Sequence, residues 1–215
     1  MVTVVSPSPQ QYHGSSLVLE GITWQTYQGL VHDLNAQPGK RLTYDQGVLE
    51  ISMPLPPHET YKRWLGRWVE IITEELDIEI RSLGSCTWSR QDLLKGIEAD
   101  ECYYIQHEAA VRGKMWIDLT VDPPPDLAIE VDITSPSLPR LPIYAALQIP
   151  EVWQFDGERM HICCLVSAAY EERPQSHVLP IATATGIEAW MAKAQVSGET
   201  SWAKQVRQWV SASQG

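Results

Sequence analysis

The chain has 215 residues, enough for one domain or one domain with appendages. Hydrophobic residues make up 44%, which supports a sizeable core and argues against global disorder, and no run is apolar for long enough to span a bilayer. A formal net charge of −11 excludes a protein whose whole surface grips nucleic acid, leaves room for a local basic strip, and favours a site that collects cations.

Met1 to Ser16 lacks a basic start followed by an apolar run, so it reads as a flexible leader and not a secretory signal. Residues 17–195 then read as the main domain and 196–215 as a helical tail. Leu17 to Leu19 is a short strand. Thr23 has the character of an N-cap for a helix over Trp24 to Leu34, with Trp24, Tyr27, Val31 and Leu34 on one face. Pro38-Gly39 ends that segment. Arg41 to Tyr44 and Val48 to Met53 form a hairpin turned by Asp45, Gln46 and Gly47.

Pro54 to Pro57 breaks the strand, and the spacing of Tyr61, Trp64, Leu65, Trp68, Ile72 and Leu76 predicts a long helix from about His58 to Leu76. Lys62, Arg63 and Arg67 fall off that stripe, toward solvent. Strands are expected over Ile78 to Ser82, Thr87 to Arg90, Ala99 to Ile105 and Asp126 to Ile133, the last stiffened at its entry by Pro123 to Pro125. A helix over Leu138 to Leu147 carries Pro142 in its first turn. A second hairpin, Val152 to Phe155 with Met160 to Val166, turns at Asp156-Gly157. Two helical pieces, Ile187 to Ala194 and Ser201 to Val210, close the chain, with Trp202 and Trp209 spaced for packing or for a dimer contact. This mixture implies an α/β or α+β fold with a mixed central sheet flanked by helices.

The four cysteines, Cys86, Cys102, Cys163 and Cys164, form no CxxC pair and no zinc pattern with histidine. Adjacent Cys163 and Cys164 lie in an apolar run and read as buried thiols, which points to a reducing cytoplasm.

The strand Asp126-Leu-Ala-Ile-Glu-Val-Asp-Ile133 is the most informative stretch. Alternation puts Leu127, Ile129, Val131 and Ile133 on one face and Asp126, Ala128, Glu130 and Asp132 on the other. Stacked carboxylates on a half-buried strand are costly unless neutralised, and magnesium or manganese, hard cations that favour oxygen, would do so. The bland alternative is a solvated acidic face on an edge strand. A second cluster, Glu98-Ala99-Asp100-Glu101, precedes the previous strand. Asp100 at one strand edge with Glu130 in the next central strand is the pairing that metal-dependent phosphodiester hydrolysis needs.

Several stretches, in order and spacing, resemble the Uma2 family, a restriction-endonuclease family of the PD-(D/E)XK nuclease superfamily. They are Ile22-Thr23-Trp24, the hairpin Arg41 to Ser52, Pro57-His58-Glu59, Glu98-Ala99-Asp100, Pro125 to Val131 with Ser135-Pro136-Ser137, Ile143-Tyr144-Ala145 and Ile149 to Trp153. The resemblance implies a restriction-endonuclease-like fold, with Asp100 and Glu130 as the two metal-holding acids. It puts Asp132 where the superfamily carries a lysine, and an aspartate cannot supply that cation. It implies instead a basic residue from the following helix, here Arg140, with Lys62 of the long helix as the other candidate. It also admits His58 and Glu59 as residues lining the active site, although Glu59 serves equally as a helix-end charge.

The expectation is a magnesium- or manganese-dependent endonuclease acting on DNA, with no membrane association and a homodimeric state. The rival is a non-catalytic module on the same fold that binds a partner or nucleic acid. The missing lysine and the acidic balance favour the rival.

Overall fold

The computed structural model describes residues 15–34, 39–133 and 137–214. The expected leader and the Pro38 and Ser135-Pro136 landmarks fall outside these, apart from Ser15 and Ser16. The described residues fold into two sheets flanked by helices, as the composition of elements predicts.

The first sheet is antiparallel throughout. It is built from β1 (Ser15–Leu19), β2 (Arg41–Asp45), β3 (Val48–Met53), β5 (Cys86–Arg90) and β6 (Lys95–Ala99), in the order β1-β3-β2-β6-β5. Its β2–β3 hairpin turns on Gln46 and Gly47, both at positive φ (47° and 98°), the backbone that a two-residue turn of matching twist requires. Helix α1 (Trp24–Leu34) covers this sheet, burying Trp24 and Tyr27 against Leu42, Tyr44 and Leu49. The Tyr27 hydroxyl fills the space over Gly96, where a Cβ would lie 2.1 Å from it.

The second sheet runs β11-β10-β9-β8-β7-β4. Its strands are β4 (Arg81–Ser82), β7 (Glu101–Tyr104), β8 (Leu127–Val131), β9 (Glu151–Phe155), β10 (Met160–Val166) and β11 (Ala169–Arg173). Only β8 and β9 pair in parallel; the connection between them holds α4 (Leu141–Ala146). Every residue of β8 is buried, so it is a central strand and not the half-buried one expected. Its two faces feed two cores. Leu127, Ile129 and Val131 pack with α2 (Pro56–Glu75), α5 (Ala184–Val196) and α6 (Glu199–Ser213), while Ala128 packs with Ile143 and Tyr144 of α4 and with Trp88 and Ile97 of the first sheet. A short helix, α3 (Glu108–Val111), lies between β7 and β8.

Helix α2 starts at Pro56-Pro57, in the first turn where a missing N–H costs no hydrogen bond. It presents Leu65, Trp68, Val69 and Ile72 to β8 and to α6, whose Trp202, Val206 and Val210 are buried in the same core. The apolar face of the tail is therefore spent inside its own chain. Among the described residues no helix is long and apolar enough to cross a membrane.

The sequence expectation of one strand over Ala99 to Ile105 is corrected by the structure. The chain runs along β6 in the first sheet, passes through Asp100, and continues as β7 in the second. Asp100 alone separates them, and its N–H bonds to Ile129 O at 3.2 Å. The strand expected from Ile78 is only Arg81–Ser82, and β6, α3 and β11 had no counterpart in the sequence reading.

Candidate active site

Asp100 and Glu130 lie on neighbouring stretches of chain where the two sheets join, the Asp100 N–H bonding to the carbonyl of Ile129, and neither is solvent-accessible. Asp100 Oδ2 accepts the Val131 N–H at 2.7 Å and a hydrogen bond from His58 Nε2 at 2.9 Å. Its Oδ1 forms an ion pair with Nη1 of Arg41, the first residue of β2; neither atom makes a hydrogen bond. Asp100 thus joins three elements: the sheet crossing, the end of β8 and the first turn of α2.

Glu130 is closed from the other side. Its Oε2 accepts from Arg140 Nη1 and its Oε1 from the Tyr144 hydroxyl. Arg140 is the N-cap of α4 and Tyr144 lies four residues on, so both project from one helix face onto the same carboxylate. Burial opposes the charge on Arg140, but the Glu130 and Asp132 carboxylates outweigh it and raise its pKa. Burial likewise drives the Tyr144 phenol well above its ordinary range, so it stays protonated and donates.

Asp132 follows at 3.4 Å from Arg140, with Gln154 Nε2 donating to its Oδ2 at 3.3 Å. Burial, reinforced by Glu130, raises its carboxyl pKa to about 6, against the pull of Arg140. His58 is shifted in the opposite sense. Burial, then the positive charge of Arg41, lowers it to about 4, so it is neutral at pH 7. A neutral ring facing the Asp100 carboxylate must carry its proton on Nε2, assigned here from the hydrogen-bond geometry. Its Nδ1, 3.3 Å from Glu59, then has no hydrogen-bond partner.

Glu59 stands at the rim, half exposed, 3.5 Å from Arg41 and 3.9 Å from Lys62. Lys62 is not turned to solvent as its place off the apolar stripe suggested. Its Nζ donates to Ser85 Oγ at 2.6 Å, and Ser85 Oγ donates to the Asp100 carbonyl at 3.3 Å. Lys62 therefore reaches the site's edge and not its two central carboxylates.

The third acid of the expected face, Asp126, has a separate task. It accepts the N–H groups of Ile105 and His107 and the His107 ring at the far end of β8. Two further acids join the site in its place. Glu98 is raised by burial and by Glu130, with Arg41 and Lys62 opposing. Buried Glu50 accepts Ser137 N–H at 2.9 Å and Leu138 N–H at 3.2 Å, which pins the approach to Arg140 onto β3. Arg41, Tyr144, Gln154 and Glu50 were missed as site residues. The one legible signal was the four-residue spacing from Arg140 to Tyr144.

The donor chemistry fits a hard divalent cation. Carboxylate oxygen dominates, and the acids Glu50, Glu59, Glu98, Asp100, Glu130 and Asp132 outnumber the cations Arg41, Lys62 and Arg140. Asp100 Oδ1 is a buried carboxylate oxygen without a hydrogen-bond donor. The counter-charge is at present arginine, however, and among the described residues no three acidic, histidine or cysteine side chains converge as a ready metal cage. A cation would compete with Arg41 and Arg140 for the two acids.

The family model for Uma2, described as "Putative restriction endonuclease", matches residues 24–192, which include every site residue named above. A crystal structure of "a putative nuclease belonging to DUF820" from Anabaena variabilis is similar over 70% of this chain and 90% of that chain, at 12% identity and a TM-score of 0.44. A comparison with curated proteins finds no match.

Proposed function

The chain belongs to the Uma2 family, and on that premise we propose that it is a metal-dependent endonuclease hydrolysing phosphodiester bonds in DNA. The observation that carries this reading is two fully buried carboxylates at the junction of the sheets, Asp100 and Glu130, each paired with an arginine. Leaving both charged in a core is costly, and a fold retains such a pair most readily where its charge is used.

Asp100 and Glu130 would hold magnesium or manganese. Bound there, such an ion supplies Lewis acidity, lowering the pKa of a water and offsetting charge on the phosphate. The chain's own residues do the rest. His58 and the Val131 N–H hold Asp100 Oδ2 in one orientation. Tyr144 does the same for Glu130 Oε1. Arg140 stays protonated, so it clamps phosphate and moves no proton. Lys62 and Arg41, one at the rim and one within, add positive potential along the approach of the phosphodiester. With so few basic residues, tight sequence-independent binding to DNA at physiological salt is not expected.

One observation favours the rival, a non-catalytic module that binds a partner or nucleic acid: both oxygens of Glu130 are already satisfied, by Arg140 and Tyr144. Incubation of the purified protein with supercoiled and linear DNA, and with RNA, in magnesium and in manganese separates the two. Cleavage that disappears in Asp100→Asn and Glu130→Gln, each still folded by circular dichroism, supports the nuclease. No cleavage in any condition, with calorimetry finding no metal binding near millimolar concentration, leaves the binding module. A homodimer, if formed, must use a surface other than the buried face of α6, and a solution mass measurement reads it directly.

A further inference from the structure

A groove between the start of α2 and the end of α5 takes no part in the chemistry above. Its volume is about 470 Å³, within the roughly 300–1,000 Å³ of small-ligand pockets, and it is lined by Pro56, Pro57, Thr60, Tyr61 and Trp64 of α2 and by Gln195 of α5. None of the six is charged, in a chain whose net charge is −11. The Tyr61 and Trp64 rings meet edge to face, at 86° with centroids 5.7 Å apart, so they form an aromatic corner beside two proline rings. Gln195 Nε2 donates to the Tyr61 hydroxyl at 3.0 Å, which leaves the amide oxygen to accept and the hydroxyl to donate. Arg63 follows Thr60 by three residues, on the same side of the helix; it is exposed and forms no hydrogen bond or ion pair with another described residue. The groove adjoins the candidate site. His58 directly follows Pro57, and Tyr61 packs edge-on against Phe155 at 5.1 Å, whose carbonyl accepts the Asp132 N–H at 2.7 Å.

We propose that this groove takes an unpaired nucleobase, so that the preferred substrate is single-stranded. The inference rests on the nuclease reading and names the substrate class of that same site. A base inside a duplex has both faces covered by its neighbours, whereas an unstacked base presents a face to an aromatic ring and its edge to hydrogen-bonding groups. The corner of Tyr61 and Trp64 supplies the ring, and Gln195 with the Tyr61 hydroxyl supplies the edge partners. Arg63 stands where the adjoining phosphate would lie. Stacking also answers the charge problem: an acidic chain gains little from neutralising phosphates, and stacking does not depend on that term.

Fluorescence anisotropy of a labelled DNA oligonucleotide, as single strand and as duplex, tests it with the full chain in EDTA, where metal-dependent cutting stops. The single strand should bind at least about tenfold tighter than the duplex. Trp64→Leu should weaken its binding by roughly 5- to 150-fold, the worth of one base stacked on an aromatic ring. Gln195→Glu, at an exposed position, keeps an oxygen for the Tyr61 hydroxyl, adds a negative charge and should also weaken binding. Arg63→Gln should reduce the slope of log affinity against log salt by about 0.7, one phosphate contact. Circular dichroism confirms the fold of each variant. Duplex binding as tight as single-strand binding overturns the proposal. So does wild-type affinity in both Trp64→Leu and Gln195→Glu, or no binding at the highest soluble protein concentration, which would leave the groove to another ligand such as a proline-rich peptide. Cleavage of the same strand in manganese is measured alongside. Cleavage with groove variants that bind normally sinks the groove and keeps the nuclease; groove-dependent binding without cleavage does the reverse.

Discussion

Asp132 lies one residue past the end of β8, where the family resemblance puts a cation, and its ionisation is opposed by burial and by Glu130. Replacing it with asparagine removes that charge and keeps an oxygen for Gln154 to donate to. The folded protein holds the Asp132 proton to about pH 6, whereas the unfolded chain releases it near 3.8. The carboxyl's contribution to stability is therefore fully present below pH 3.8 and is lost as pH rises through 6. A tenfold change in proton affinity is worth about 1.4 kcal/mol, so the ceiling on the loss is about 3 kcal/mol. Asp132→Asn should gain on the wild type between pH 4 and 6 and level off above 7, by up to about 3 kcal/mol. Lost attraction to Arg140 is already included in the net shift. His58 contributes in the opposite sense: with its pKa lowered to about 4, it stabilises above 6.5 and loses that contribution as pH falls. That slope is common to both proteins and cancels in the difference. Urea unfolding at half-unit steps from pH 4 to 8 measures it. A difference that stays flat across that range would refute the assignment of Asp132 as a charge held against its preference.

Arg140→Met removes the counter-charge on Glu130 and should tighten manganese binding about tenfold by calorimetry, the equivalent of roughly 1.4 kcal/mol; equal or weaker binding means Arg140 and the metal do not compete. The same variant, left with an unpaired buried carboxylate, should show a larger rise in melting temperature with manganese than the wild type does. Gly96→Ala forces a Cβ into the Tyr27 hydroxyl and should cost roughly 1–3 kcal/mol in urea unfolding, the usual range for overpacking; a loss under about 0.5 kcal/mol would show that α1 shifts freely on its sheet.

The parts of this fold that were legible in the sequence are those fixed by local periodicity. The stripe on α2, the Asp-Gln-Gly turn and the entry to β8 each carry their pattern within a few residues. The sheet crossing at Asp100 does not. Residues 95–105 read equally well as one strand or two, because alternation reports which side chains share a face and says nothing about which partner strand pairs with them. For the same reason Arg41 read as an ordinary strand residue: its place beside Asp100 depends on how the first sheet docks on the second. Lys62 was misread on a different ground. Helical spacing puts it off the apolar stripe, yet the surface it faces is covered by Ser85 from the loop between β4 and β5. Arg140, ten residues from Glu130, lay within reach of the sequence pattern, whereas Arg41 of β2, which neutralises Asp100, is distant in the chain and did not.

That division bears on what Asp100 is for, because its bonds to Val131 and His58 and its ion pair with Arg41 could serve the junction of the two sheets alone. Charge and structure can be separated by removing both members of the pair. Asp100→Asn strands the buried Arg41 guanidinium and should destabilise by about 3–5 kcal/mol, as breaking one side of a buried ion pair does. Arg41→Met alone should cost a similar amount. The double variant leaves neither charge, retains an amide oxygen for the Val131 N–H, and should recover most of the lost stability, giving a large coupling energy in the cycle. If Asp100 is a metal-holding acid, the restored fold will still fail to bind manganese and to cleave. If the double variant binds metal as the wild type does, Asp100 is a structural clasp between the sheets, and the functional carboxylates are Glu130 and its neighbours on β8 and β6.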